Sequence, residues 1–269
     1  MLHISDIHFP DQEWNSPMYI YLDAFHKLID EINDRDLLLI LGGDITTRGN
    51  AKGYQQAEAF FNDIIKKKGL NRKHVLLCPG NHDIESSSPY FNGFDVFAYS
   101  VRNDRTFKYT ESNHYVFETD ECFFLIINSA YKYDHRYGSV DVEGITATLG
   151  KLNINPNKNK IAIVHHHLLG QFEDDVSTIR NAYPFLQLLD YYNFQYIIHG
   201  HQHSNMYMPL GKSRIKTIGV RTPTLNVPGY FVGVNVYELR AEELIIHPYI
   251  FSRDMGGFTK LEEIILGRD

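Results

Sequence analysis

The sequence predicts an α/β fold in one domain, with helices on both faces of a sheet and a second sheet completed late in the chain. Three observations carry this expectation. Apolar runs of strand length alternate with amphipathic helical stretches over the first two-thirds of the chain. Two of those runs, LLLILG (37–42) and KIAIV (160–164), are apolar without alternation, as strands covered on both faces are. No internal repeat, low-complexity tract or Pro/Gly/Ser-rich linker divides the 269 residues.

Taken in order, strands are expected at 2–5, 37–42, 74–79, 122–129, 160–164 and 196–200. The first helix, 16–33, has Ser16 in place for an N-cap and Pro17 at the first helical position, where its missing N–H costs nothing. The second, 51–68, closes on Lys66, Lys67 and Lys68 with Gly69 just beyond, the charge and the glycine that suit a helix C-terminus. The third spans 183–193. From 204 onward the runs NMYMPL, RIKTIGV, YFVGVNVYEL and ELIIHPYIF read as an antiparallel meander without helices. One domain over 1–250 is therefore expected, with 251–269 a C-terminal tail or short helix.

Composition narrows the function classes. Apolar residues make up 43% and charged residues 22%, an ordinary globular balance with material for a core. The formal net charge of −7 argues against a protein whose main task is holding nucleic acid, although it does not exclude a nucleic-acid substrate. Cys78 and Cys122 lie in apolar strand-like runs and read as reduced core thiols. No secretory leader opens the chain and no apolar stretch nears about 18 residues, so a cytoplasmic protein with no membrane partner is expected.

The polar residues fall in a pattern. Asp6 and His8 follow the first strand, Asp44 the second, and Asn81, His82 and Asp83 the third. The triplet His165–His167 follows KIAIV, and His201 and His203 follow YII. Each cluster sits at the carboxyl end of an apolar strand, where open α/β sheets bind ligands. Singly, each has a plain alternative: a turn with an Asx bond, a surface loop, a half-buried corner. Jointly they offer carboxylate, amide and imidazole donors, a set suited to borderline transition metals. The internal triplet is no tag, and consecutive residues leaving a strand point in different directions, so a single ion cannot readily use all three.

In order, the blocks SDIH (5–8), GGD (42–44), GNHD (80–83), VHHH (164–167) and GHQH (200–203) resemble the signature of the calcineurin-like metallophosphoesterases, and its small bacterial phosphodiesterase-type branch above all. The match spans about residues 3–203. The resemblance implies a four-layer α/β/β/α sandwich of two mixed sheets flanked by helices, with a dimetal site at the strand C-terminal ends. It implies one metal on Asp6, His8 and His203, a second on Asn81, His165 and His201, and Asp44 bridging both. His82 is implied as the catalytic proton donor, with Asp83 holding its other ring nitrogen. Arg48, in the spacing GDxxxRG, is a candidate phosphate grip, and His166 and Asn181 are candidate substrate contacts. His167 reads as a spacer.

The function so implied is hydrolysis of a phosphodiester or phosphomonoester by in-line attack of a metal-bridging hydroxide. The cofactors are two divalent ions, Mn, Fe or Zn, and the substrate is a nucleotide-like phosphate ester. A nuclease acting on DNA or RNA ends is the alternative, with a non-catalytic scaffold of the same fold behind it. Every ligand position is filled, which favours an enzyme. An oligomer or a place in a larger assembly is compatible with the sequence.

Overall fold

A computed structural model describes residues 1–11, 18–210, 215–224, 231–240 and 243–267. Two mixed sheets stack face to face. The first contains the parallel strands β1 (Leu2–Ile4), β2 (Leu39–Leu41) and β3 (Val75–Leu77). The second is built around β5 (Cys122–Ile127), β6 (Asn159–Val164) and β7 (Tyr196–His199), also parallel, with β4 (His114–Glu118) antiparallel at one edge.

Helices close the outer faces. On the first sheet lie α1 (Met18–Ile32), α2 (Ala51–Lys68) and α3 (Asn92–Arg102); on the second lie α4 (Val142–Leu149) and α5 (Ala182–Tyr191). The alternation within β5 shows why four layers form. Phe123, Leu125 and Ile127 join the α4–α5 core, whereas Phe124 and Ile126 belong to the core between the sheets. Both faces are apolar because both are covered.

Caps set the helix ends. Asn50 accepts from the Gly53 N–H at the start of α2, and Gly69, with φ +63°, closes it. Ser16 and Pro17, expected to start α1, lie outside the described residues.

The strands after residue 204 do not form one meander. The strands β8 (Met206–Pro209) and β9 (Lys216–Gly219) join the second sheet, with β9 parallel to β7. The long hairpin β10 (Gly233–Arg240) and β11 (Glu243–Ser252) instead crosses to the first sheet, where β10 pairs antiparallel with β1. Parallel edges at β1 and β7 each need a partner, and strand patterning alone cannot say which edge a later strand covers. Where a tail or short helix was expected after residue 250, β12 (Gly257–Lys260) and β13 (Ile264–Gly267) both pair with β11.

A candidate dimetal site at the strand ends

The carboxyl ends of β1, β2, β3, β6 and β7 converge between the sheets and bring the predicted ligands together. Two groups of donor atoms result: Asp6, His8 and His203, and Asp44, His165 and His201. Within each group the donor atoms lie within 4.8 Å of one another. Asp44 Oδ2 lies 3.7 Å from His8 Nε2 and 3.3 Å from His165 Nε2, between the two groups. Asn81 Oδ1 stands 3.1 Å from His165 Nε2 and so adds an amide oxygen to the second group.

The backbone is shaped to aim these atoms. Asp6, His8, Asp44, His201 and His203 all have φ between +51° and +67°, the left-handed region that non-glycine residues seldom enter. Each carboxylate has one oxygen held by a backbone N–H: His201 N–H donates to Asp6 Oδ2 at 3.0 Å, and His82 N–H donates to Asp44 Oδ1 at 2.8 Å. The other oxygens are left facing the imidazoles. Gly80 permits this close approach, because a Cβ there would sit 2.2 Å from Asp44 Oδ1.

The donor set fits cations. His165 Nδ1 donates to the Gly42 carbonyl at 2.8 Å, which turns Nε2 toward the site. Nε2 lies 3.1 Å from His201 Nδ1 and 3.1 Å from Asn81 Oδ1. Imidazole and amide ligand atoms converging in a buried place suit a cation, and an outer carbonyl fixing the ring is the usual support of a metal-bound histidine. In the other group, His8 Nε2 is buried without a hydrogen-bond partner, and Asp6 Oδ1 faces His203 Nε2 at 3.2 Å.

Electrostatics point the same way. Burial works against the charged forms of both Asp6 and Asp44. For Asp6 the His203 charge and hydrogen bond prevail, for Asp44 those of His165, and both carboxyls are held well below the usual range. Burial depresses His165 as well, yet the Asp44 carboxylate raises it to about 9; burial lowers His201 to about 3. Without an ion, His165 thus carries its second proton on Nε2 beside the anionic Asp44, the place that a divalent ion would take with release of that proton.

Three predicted roles are not met. His82 Nδ1 donates to the Thr47 carbonyl at 2.8 Å, so Asp83 does not hold that ring. The Asp83 carboxylate instead accepts from the backbone N–H groups of Ile45, Thr46 and Gly80 at 3.0–3.1 Å, pinning the GGD turn to the GNHD turn. The Asn181 side chain is engaged by backbone: its amide donates to the Val140 carbonyl at 2.6 Å and its oxygen accepts from Val140 N–H at 2.9 Å. His166 is fully buried against Ser129 Oγ at 2.7 Å, with its ring centroid 4.6 Å from that of His201, so it lies behind the ligands rather than before them.

His167 is also more than a spacer. It is buried and pairs with Asp175 Oδ2 at 2.9 Å, while Asp175 accepts from Gln171 and Ser177 N–H. It thereby anchors the loop after β6. Arg48 is exposed, one residue beyond Thr47. His135, which from sequence reads as a structural histidine, adjoins the site: its Nδ1 donates to the Asn81 carbonyl at 2.9 Å, while Asn81 Nδ2 donates to the His135 carbonyl at 3.2 Å. Nothing local marks it, because it follows no motif and ends no strand.

Comparison with known proteins bears on the family and the fold. The family model described as calcineurin-like phosphoesterase matches residues 1–205. The uncharacterized metallophosphoesterase-like protein YydB of Bacillus subtilis is 27% identical over 246 residues, which cover 77% of this chain and 49% of that protein. The chain thus spans about half the length of that curated relative. A dimetal phosphatase from Danio rerio has the same fold, with a TM-score of 0.70 at 11% identity over 100% of this chain and 98% of that one.

Proposed function

The chain belongs to the calcineurin-like phosphoesterase family, and on that premise we propose that it hydrolyses a phosphodiester of a nucleotide-like substrate with two divalent transition-metal ions. One observation carries the reading: the two ligand groups meet at Asp44 of the second, whose Oδ2 stands 3.7 Å from His8 Nε2 of the first and 3.3 Å from His165 Nε2 of its own. Asp6, His8 and His203 would hold one ion, Asn81, His165 and His201 the other, and Asp44 both. What the pair supplies when bound is neutralisation of the phosphate oxygens and activation of a water for in-line attack.

The chain's own groups do the rest. Asn81 contributes an oxygen without a negative charge, which keeps the centre electrophilic. His82, its Nδ1–H held by the Thr47 carbonyl, keeps Nε2 free, and as the imidazolium the ring would donate its Nε2 proton to the leaving oxygen. Arg48 serves as a phosphate contact, by its place one residue beyond Thr47. Imidazole, carboxylate and amide donors suit Mn, Fe or Zn, and manganese is the ion to supply first. Cys78 and Cys122, free and buried, fit the reducing cytoplasm.

The test is turnover of bis-p-nitrophenyl phosphate against p-nitrophenyl phosphate by manganese-loaded protein. Faster hydrolysis of the diester, abolished by Asp44→Ala, is expected. Failure to turn over either ester, or equal activity in the variant, contradicts the reading.

A further inference from the structure

Nine non-glycine residues among those described have left-handed φ values. Asn33, Asn103 and Asn193 follow helix ends, where asparagine commonly takes this conformation. Five are candidate metal ligands. The ninth is Tyr133, with φ +59°. The left-handed region crowds the Cβ of an aromatic residue against its own backbone, and neither a helix end nor a ligand role accounts for it. Such strain concentrates at functional sites.

Tyr133 belongs to the segment YKYDHRY (131–137), which follows β5 and is fastened to the candidate site. The two hydrogen bonds between His135 and Asn81 pin it on one side. On the other, Gly138 N–H donates to the Thr178 carbonyl at 3.1 Å and Arg180 N–H to the Gly138 carbonyl at 2.9 Å. The Tyr133 ring lies 4.2 Å from that of Tyr90 at 32°, and 6.0 Å from Phe91. It is supported from behind yet 50% exposed. A ring placed only to seal a core would be covered.

Cations lie along the same segment and beside it. Lys132, Arg136 and Arg180 are all exposed, and the Arg180 guanidinium sits 3.8 Å above the Tyr137 ring. In a chain of net charge −7 this is a local excess of positive charge. The segment's own carboxylate, Asp134, is engaged in capping Arg136 N–H at 2.7 Å.

We infer that residues 131–137, with Tyr90 and Arg180, form the subsite for the organic half of the substrate and take a nucleobase joined to the scissile phosphate. The inference rests on the phosphoesterase reading and deepens it. Tyr133 offers a rigid face for the base, and Lys132, Arg136 and Arg180 offer charge to further phosphates of a nucleotide. Every base has a π-face to stack on such a ring.

The experiment compares thymidine 5′-p-nitrophenyl phosphate with methyl p-nitrophenyl phosphate, which release the same p-nitrophenolate. Wild-type protein should favour the thymidine ester by about tenfold in kcat/KM. Tyr133→Phe should keep that ratio and Tyr133→Ala should bring it near one. Thymidine itself, which has no ester to cleave, is titrated in parallel by calorimetry and should bind about tenfold more weakly to Tyr133→Ala. Tyr133-dependent thymidine binding without turnover of either ester would sink the phosphoesterase reading and leave the subsite. Turnover with equal preference, or a preference and affinity untouched by Tyr133→Ala, overturns the subsite. Free nucleotides and nucleic-acid ends share this chemistry. An oligothymidylate bearing the same 5′ ester separates them: preference for either over the methyl ester supports the subsite, and the faster one names the source.

Discussion

Replacing Asp83 by alanine should weaken the fold rather than detune a proton donor. The carboxylate is fully buried and accepts from Ile45 N–H at 3.1 Å and from Thr46 and Gly80 N–H at 3.0 Å. Alanine leaves those three donors without an acceptor. At about 1–3 kcal/mol for each stranded buried donor, the loss is about 3–9 kcal/mol. Part is offset, because burial, with the Asp44 charge behind it, pushes the Asp83 carboxyl from 3.8 up to about 6. That rise corresponds to roughly 3 kcal/mol of strain in the ionised form at neutral pH, and the substitution removes it. The net loss is then about 3 kcal/mol near the middle of the range, or a melting temperature lower by about 6–12 °C. Thermal and guanidinium unfolding measure it, with Asp83→Asn as the isosteric control that keeps one acceptor oxygen. A melt within about 1 kcal/mol of wild type, accompanied by an altered pH profile of turnover, would refute the clamp and return Asp83 to the task of holding His82.

His167→Ala should cost about 1–3 kcal/mol by stranding Asp175, and faster amide exchange at Gln171 and Ser177 should show the loop released; unchanged exchange there contradicts the anchor. His135→Ala should weaken the second metal by about 10–100-fold in calorimetric titration, and His135→Asn should restore part of it, because an amide can still donate to the Asn81 carbonyl. Burial, and next the neighbouring His199, lower His3 to about 3. A histidine with a depressed folded value contributes stability that is complete above its ordinary value of 6.5 and lost as pH falls. Between pH 7 and 5 about 2 kcal/mol should disappear, and His3→Gln should flatten that slope in urea melts taken across the window.

What could be read in advance depended on how local the signal was. The convergence of the candidate ligands was legible because each follows an apolar run directly, and strand ends place side chains without help from the rest of the chain. The fit of α2 rests on the same kind of evidence: Asn50, the three lysines and Gly69 are all local. The helix α3 was missed because it carries Gly93 in its first turn and has no side-chain cap at Phe91, although Phe94, Phe97, Ala98 and Val101 make a regular buried stripe. The split of β8–β9 from β10–β11 could not be read, since both pairs have strand patterning and the choice of edge is made by long-range packing. Asp83 and Asn181 show the same limit. Their type suggests chemistry, but their partners, Ile45 and Thr46 for one and Val140 for the other, are 37 to 41 residues away.

The central claim is a centre of two metals joined by Asp44. Calorimetric titration of metal-free protein with manganese, checked by metal analysis after gel filtration, tests it most directly. Two ions per chain are predicted for the wild type, with both weakened and the total falling toward one or none in Asp44→Ala. One ion or none in the wild type, or two bound equally well without Asp44, would contradict it.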